Sequence, residues 1–301
     1  MRDLIQPQQL YSCAQRAQEW QRGCLHILGF GFDGTACFRK GARFGPDAIR
    51  KVSADIENYS PYLDRDLEEI PAFYDLGNLT SADDGQEEKV WRQGTDLFFA
   101  LTKAAPLRRA GARLLLLGGE HSVSYGPIAR YLEDYPDLAI VHLDAHADLR
   151  DGYQGYHYSH ASILRRVADH LGPGHRLLQF GIRSGTRAEF AWMREHGTLQ
   201  PTLAALLGEL ERLERGRPVY LTCDLDFFDP CFLPGTGTPE PGGQDFLCFI
   251  ELIKVLARMN FVGADVVELA PPLDASGVSD VFATKVVREV ILALSEGVSR
   301  G

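Results

Sequence analysis

The sequence predicts an α/β fold in which helices cover both faces of a mainly parallel sheet. Short apolar runs, typical of buried strands, alternate with longer segments of helical periodicity along the 301-residue chain. This alternation is typical of strand–helix–strand units, which build parallel sheets. Three polar segments each directly follow an apolar run, at the strand ends where such sheets bind ligands.

The individual elements are predicted from hydrophobic periodicity and from the residues that flank each run. The predicted strands are His26 to Phe32, Ala72 to Leu76, Arg113 to Leu117, Leu138 to Leu143, Arg176 to Ile182, Pro218 to Cys223 and Gly263 to Leu269. The predicted helices are 46–55, 86–109, 124–134, 161–171, 186–196, 203–214, 244–259 and 278–296. Since the chain shows no internal repeat and no clear linker, we expect one domain over residues 21–301, with residues 1–20 as an N-terminal arm.

Composition narrows the class of protein. A hydrophobic fraction of 45% and a charged fraction of 24% are ordinary for a globular chain with a sizeable core. The net charge of −10 argues against a nucleic-acid surface and suits a cationic substrate. No apolar run is long enough to span a membrane, and residues 1–20 lack the apolar core of a secretory signal, so we expect a cytoplasmic protein with no membrane partner. The six cysteines form no Cys-x-x-Cys motif and are expected as free thiols.

Three short segments supply candidate metal ligands. They are Gly-Gly-Glu-His at 118–121, Asp-Ala-His-Ala-Asp at 144–148 and Asp-Leu-Asp at 224–226. The candidate ligands in them are His121, Asp144, His146, Asp148, Asp224 and Asp226. In an extended segment residues i and i+2 share a face, so the polar groups of one segment can point the same way. Without cations, so many carboxylates would raise each other's pKa, which favours a site for two metal ions.

The types of ligand indicate which metal and which chemistry to expect. Imidazole and carboxylate groups without a thiolate favour a divalent ion such as Mn²⁺ over a structural Zn²⁺ site. Carboxylates can bridge two ions roughly 3.5–4 Å apart, and such pairs make hydroxide at neutral pH, so hydrolysis is the expected reaction class. The alternative is that the aspartates only cap helices and the histidines are ordinary buried residues. Six candidates at matched spacings after separate strands favour the metal site.

The chain as a whole resembles the ureohydrolase family, the arginase and agmatinase group, over nearly its full length. The segments that carry this resemblance, besides the three above, are Phe32 to Thr35, Gly-Ala-Arg-Phe-Gly-Pro at 41–46, Ser-His-Ala-Ser at 159–162, Asp-Leu-Asp-Phe-Phe-Asp-Pro at 224–230, Pro-Gly-Thr-Gly-Thr-Pro-Glu-Pro-Gly-Gly at 234–243 and Val-Glu-Leu-Ala-Pro-Pro at 267–272. The resemblance implies a three-layer arginase-like fold and a binuclear manganese site. It places one ion on His121, Asp144, Asp148 and Asp224, and the other on Asp144, His146, Asp224 and Asp226.

The resemblance also implies catalytic roles in the hydrolysis of a guanidinium group to urea and an amine. Asp148 would orient the attacking hydroxide. His160 would deliver a proton to the leaving amine, since imidazole titrates near neutral pH, and Glu268 would accept paired N–H bonds from the guanidinium. The alternatives are that His160 is only a loop histidine and that Glu268 is a surface residue paired with a cation. Three positions depart from the usual family pattern, namely Glu120, Asn78 and Ala161.

The interval Leu149 to Ser159 looks like the agmatinase version of the loop with which the family recognises its substrate. Its residues Tyr153, Tyr156 and Tyr158 could line an apolar slot for a butyl chain, or they could pack the loop or a subunit contact. Agmatine cleavage to putrescine and urea is therefore the expected reaction. Guanidinobutyrate, guanidinopropionate and arginine stay open as substrates, as does a zinc deacetylase of the same fold. The family further implies a homo-oligomer, either a trimer or a hexamer.

Overall fold

The computed structural model describes residues 4, 5, 7, 9–17, 19–71, 73–79, 86–103 and 107–296. Its strands are β1 (Leu4–Ile5), β2 (Gln15–Arg16), β3 (Leu25–Phe30), β4 (Tyr59–Ser60), β5 (Arg65–Asp66), β6 (Phe73–Leu79), β7 (Arg113–Gly118), β8 (Ala139–Leu143), β9 (Arg176–Phe180), β10 (Leu199–Gln200), β11 (Pro218–Asp224) and β12 (Asn260–Val267). Strands β4 and β5 form a separate hairpin.

The remaining strands form one sheet in the order β1-β6-β3-β7-β12-β11-β8-β9-β10, with β2 also paired to β6. Every neighbouring pair from β6 to β10 in this order is parallel. At one edge β1 pairs antiparallel with β6. The predicted mainly parallel sheet is confirmed.

The helices between these strands follow the predicted pattern. They are α1 (Gly45–Ser53), α2 (Glu87–Lys103), α3 (Leu107–Ala110), α4 (Tyr125–Asp134), α5 (Ile163–Ala168), α6 (Arg187–His196), α7 (Leu203–Glu211), α8 (Phe246–Leu256) and α9 (Val278–Ser295). The single helix predicted over 86–109 is found as α2 and α3. Residues 104–106 between them, and Ala72 at the start of one predicted strand, lie outside the described residues.

The side chains of β7 show that helices cover both faces of the sheet. Leu114 and Leu116 pack into a core shared with α2, α4 and α5, whereas Leu115 and Leu117 pack into a core shared with α1, α8 and α9. The alternation follows from the two-residue period of a strand. All four leucines are fully buried, and burying one leucine stabilises a fold by about 1.5–3 kcal/mol. The layers are therefore helix, sheet and helix, as predicted.

Part of the predicted N-terminal arm lies on the edge of the sheet. Strands β1 and β2 both pair with β6, and the buried Tyr11 donates its backbone N–H to Asp75 Oδ2 at 3.1 Å. Residues 1–3, 6, 8 and 18 of the arm lie outside the described residues. The division into an arm and one domain over residues 21–301 remains a prediction. Across the described helices, none is both long and apolar enough to cross a membrane.

Candidate metal centre

The six candidate ligands and Glu268 lie at the ends of four strands that are consecutive neighbours in the sheet, β7, β12, β11 and β8. His121 begins the 3-10 turn His121–Ser124 after β7, and Glu268 directly follows β12. Asp224 is the last residue of β11, and residues 144–148 directly follow β8. Because parallel strands end at the same edge, this topology brings distant parts of the sequence together.

The imidazole of His121 faces three carboxylates. Its Nδ1 lies 3.0 Å from Asp144 Oδ2, 3.1 Å from Asp148 Oδ2 and 3.3 Å from Asp224 Oδ2. Among the described residues this buried nitrogen has no partner with hydrogen-bond geometry. A proton on Nδ1 would serve one of these oxygens at a time, whereas a cation at their centre would be bound by all of them. The arrangement fits a metal ion.

The carboxylates themselves show the electrostatic cost of this arrangement. Burial raises the pKa of Asp148 to about 7, and the charge of Asp144 adds to the shift. Burial also raises the pKa of Asp224 well above its usual value, together with the charges of Asp226 and Asp144. Cations among these groups would relieve the repulsion, as the sequence predicts.

A second group of possible ligands lies beside the first. His146 Nδ1 is 2.9 Å from Asp226 Oδ2 and 3.6 Å from Asp144 Oδ1. Ligand atoms of these three residues all lie within 4.8 Å of one another, the spacing of groups that could hold one ion. Asp144 belongs to both groups, with one oxygen near His121 and the other near His146. The structure thus brings all six predicted ligands together.

Except for Asp224, which ends β11, the residues of the two acidic segments lie outside the extended strands that the spacing predicts. Strand β8 ends at Leu143, before the acidic segment, and Asp226 lies in the 3-10 turn Leu225–Phe227. Asp224 caps this turn, since its Oδ1 accepts the Asp226 N–H at 2.8 Å. The expectation that side chains alternate along an extended strand was wrong here, although its conclusion that the side chains converge holds. Capping and facing His121 are compatible roles for Asp224.

Two site residues adopt backbone angles that are uncommon for residues other than glycine. Asp148 has φ 52° and Glu268 has φ 69°, both in the left-handed region. The surrounding chain fixes them, because Glu268 N–H donates to Gly119 O at 2.8 Å and Asp148 O accepts from Arg165 N–H at 3.1 Å. Only glycine fits at position 119, where Glu268 is bound, since a Cβ there would clash with the Phe32 carbonyl oxygen. Strained residues of this kind often occur at functional sites.

Glu268 is buried beside the first group of ligands, with 6% of its surface exposed. Its Oε1 accepts the backbone N–H of His121 at 2.9 Å. Burial and the charge of Glu120 raise the pKa of Glu268 well above its usual value. The structure therefore excludes the alternative of an exposed glutamate on the surface.

His160 lies in a polar cluster that sequence analysis did not predict. The Thr35 hydroxyl lies 3.3 Å from His160 Nδ1 and donates to the buried Glu120 carboxylate at 2.7 Å. Ser122 Oγ also donates to Glu120, at 2.7 Å. Burial lowers the pKa of His160 to about 4 and raises that of Glu120 to about 7. Glu120 was noted as a departure from the family pattern, and the structure shows what it binds.

His142 is a further residue that sequence analysis missed. Its Nε2 lies 2.8 Å from Asp144 Oδ2, and its Nδ1 accepts from Gln179 Nε2 at 3.1 Å. The Gln179 amide is oriented because its Nε2 also donates to Ala147 O and its Oε1 accepts from Thr198. His142 Nε2 must then carry the hydrogen that it shares with Asp144, so although His142 lies in a group with His121 and Asp144 that could hold a metal ion, its hydrogen bonds fit a residue that orients Asp144. Its position two residues before Asp144 was the available signal.

A cavity of about 230 Å³ opens beside these groups. Its lining includes His146, Asp148, Arg150, Tyr153, His160 and Glu189. Of the three tyrosines considered as a slot, Tyr153 lines this cavity, whereas Tyr158 stacks on Trp91 with ring centroids 4.5 Å apart. Arg150 lies over the Tyr153 ring at 4.5 Å. A small molecule in the cavity would contact the candidate ligands His146 and Asp148 as well as Tyr153.

Comparison with known proteins agrees with this geometry. A model of the arginase family matches residues 24–293. The chain belongs to the arginase family. This arginase-family chain is 43% identical over 281 residues to agmatinase from Bacillus anthracis. The aligned region covers 88% of this chain and 90% of that protein. It is 38% identical over 278 residues to agmatinase from Bacillus subtilis strain 168, with 91% and 93% covered.

A solved structure shares the arginase-family architecture. The agmatine ureohydrolase of Thermoplasma volcanium is 29% identical, covers 97% of this chain and 96% of its own, and superposes with a TM-score of 0.78. The predicted arginase-like fold is confirmed. The chain is therefore a hydrolase of a family that depends on metal ions, and its histidine and aspartate groups could hold them.

Proposed function

We propose that this arginase-family enzyme hydrolyses agmatine to putrescine and urea with the help of two Mn²⁺ ions. The observation that carries the proposal is the position of His121, whose Nδ1 faces three carboxylates within 3.3 Å. The relatives named agmatinase, which align over most of the chain, support agmatine as the substrate.

The proposed ligands form two overlapping sets. One set is His121, Asp144, Asp148 and Asp224, and the other is Asp144, His146, Asp224 and Asp226. Imidazole and carboxylate ligands suit Mn²⁺, and a pair of such ions, when bound, supplies a hydroxide nucleophile at neutral pH. Asp144 and Asp224 would be shared, which agrees with the central position of Asp144 between the two histidines.

Two carboxylates would position the reactants. Glu268 would accept N–H bonds from the guanidinium, and its Oε1 already accepts the backbone N–H of His121. Asp148, which lines the cavity, would accept a hydrogen bond from the attacking oxygen and orient it. A guanidinium is a weak electrophile because its charge is delocalised, so the nucleophile must be aimed accurately.

His160 would transfer the proton that the reaction requires. Water adds to the guanidinium carbon, the bond from that carbon to the alkyl-bearing nitrogen breaks, and the departing amine takes up a proton. Since burial lowers the pKa of His160 to about 4, the imidazole is neutral at pH 7 and can first accept a proton and then deliver it. His160 lines the cavity together with Asp148.

Urea release from a panel of guanidines tests the proposal. Protein loaded with Mn²⁺ should bind about two ions per chain and release urea from agmatine with a higher kcat/KM than from arginine, guanidinobutyrate or guanidinopropionate. Metal-stripped protein is the control and should be inactive. A preference for another guanidine would reassign the substrate, and cleavage of an acetylated amine without any urea would instead indicate a deacetylase. A cytoplasmic location and a trimeric or hexameric assembly remain predictions.

A further inference from the structure

A buried carboxylate, Asp265, lies behind His121, on the Nε2 side of the ring and opposite the three carboxylates that face Nδ1. Asp265 and Thr222 are direct neighbours in the register of β12 and β11. The Thr222 hydroxyl donates to Asp265 Oδ1 at 2.7 Å, and the same hydroxyl oxygen lies 2.9 Å from His121 Nε2. These residues are at most 1% exposed, so water does not compete for the bonds.

The direction of these hydrogen bonds determines which nitrogen of His121 carries a hydrogen. Thr222 has one hydroxyl hydrogen, and it is committed to Asp265. The Thr222 oxygen can then only accept from His121, so Nε2 carries the ring hydrogen. A neutral imidazole with a hydrogen on Nε2 has its free lone pair on Nδ1, and Nδ1 is the atom that faces Asp144, Asp148 and Asp224.

Two further hydroxyls hold Asp265 in place. Ser124 Oγ donates to Oδ1 at 2.9 Å, and Tyr220 OH donates to Oδ2 at 2.8 Å. Ser124 belongs to the same 3-10 turn as His121, so the carboxylate fixes both the turn and the ring. Partners of this kind are expected to orient metal-binding histidines and to increase their basicity.

We propose that Thr222 and Asp265 are positioning residues that hold His121 in the tautomer required for metal binding through Nδ1. The inference rests on the proposed metal site but does not depend on the identity of the substrate. It predicts that loss of the Thr222 hydroxyl weakens the binding of only one of the two ions, because His146 and Asp226 do not contact this chain of hydrogen bonds.

Equilibrium dialysis of the metal-stripped full chain against graded Mn²⁺ tests the proposal. Wild type should bind two ions. Valine matches threonine in shape, and Thr222→Val should lower the affinity for one ion roughly 10- to 100-fold while the affinity for the other ion stays unchanged. Thr222→Ser should bind both ions like wild type. Thr102→Val is the matched control, since it removes another fully buried threonine hydroxyl, one that donates to Phe98 O within α2, and it should leave both affinities unchanged.

The outcomes separate this inference from the proposed function. If Thr222→Val binds both ions like wild type, or Thr102→Val weakens the binding of the same ion equally, the positioning role is wrong while the two-metal proposal stands. If wild type binds fewer than two ions, the two-metal proposal itself fails. Should Thr222→Val not fold, as judged by the melting temperature without metal, the variant that combines Thr222→Val with Asp265→Asn removes the buried unpaired charge and should show the same selective loss.

Discussion

The Thr35 hydroxyl oxygen lies 3.3 Å from His160 Nδ1 and accepts the His160 backbone N–H at 3.1 Å. Its hydrogen is donated to Glu120, so Thr35 can only accept from the imidazole. Ser159 Oγ also lies 3.3 Å from Nδ1, so two hydroxyls occupy Nδ1 and Nε2 is the nitrogen left to exchange protons. Thr35 and Glu120 would thus orient the proposed proton carrier.

Replacing Thr35 with valine should therefore lower kcat. General acid–base groups contribute roughly 10²–10⁴-fold to rate, and we expect poor orientation to remove about tenfold of this. KM and manganese content should stay near wild type, because Thr35 is not a proposed ligand. Steady-state urea assays on Thr35→Val and Thr35→Ser make the comparison, and serine should restore most of the rate. Equal kcat in wild type and Thr35→Val would contradict this role.

Asp148 and His160 should respond differently to substitution by asparagine. Asp148→Asn should abolish turnover, because it removes both a proposed ligand and the group that orients the nucleophile. His160→Asn should lower kcat roughly 10²–10⁴-fold while metal content is preserved. Elemental analysis beside the urea assay distinguishes the two effects. Loss of metal from His160→Asn would show that His160 has been assigned the wrong role.

Much of the fold was predictable from sequence because the central strands are long apolar runs. Strands such as β7 and β11 are almost entirely buried, and this composition identifies them without any tertiary information. Strands β1, β2 and β10 have two residues each, too few to show a period. These short strands form because the edge of a longer strand, β6 or β9, is available for pairing.

That the proposed ligands lie close together was also predictable from sequence, but the residues behind them were not. His121 and Asp144 belong to short segments that combine ligand types at close spacing. Asp265 is distant in sequence from His121 and reaches it through Thr222, which depends on the register between β11 and β12. Such a relationship exists only once the strands are paired.

The buried ion pair between Arg50 and Asp75 should be essential for stability. Arg50 Nε and Nη2 donate to the two Asp75 oxygens at 2.8 and 2.9 Å, and both side chains are 0% exposed. Asp75→Asn leaves the buried Arg50 charge with only the exposed Asp47 carboxylate, 3.7 Å from Nη1, and losing the buried partner costs about 3–5 kcal/mol. Urea denaturation should show this loss in the free energy of unfolding.

The exposed pair of Arg92 and Glu88 provides the control for this experiment. Their side chains are 64% and 55% exposed, so solvent screens the attraction. Glu88→Gln should leave the denaturation midpoint unchanged within error. A similar loss in both variants would mean that burial does not determine the contribution of the Arg50 pair.

The buried imidazole of His26 should make the protein less stable in acid. Its Nε2 accepts the Gln21 backbone N–H at 2.8 Å, and burial lowers its pKa from 6.5 to about 4. Between these two values the unfolded chain binds a proton at this residue that the folded protein does not. The free energy of unfolding therefore falls as the pH drops from about 6.5 to about 4, by about 3 kcal/mol in total from this group.

Replacing His26 with glutamine should remove this contribution to the pH dependence. Glutamine cannot take up the proton, and its side-chain oxygen can still accept from Gln21. Urea denaturation of wild type and His26→Gln at several pH values between 4 and 7.5 should show a shallower decline for the variant below about pH 6.5. His196 is exposed at the end of α6, so His196→Gln should follow the wild-type curve. Identical slopes in wild type and His26→Gln would mean that the buried ring does not resist protonation.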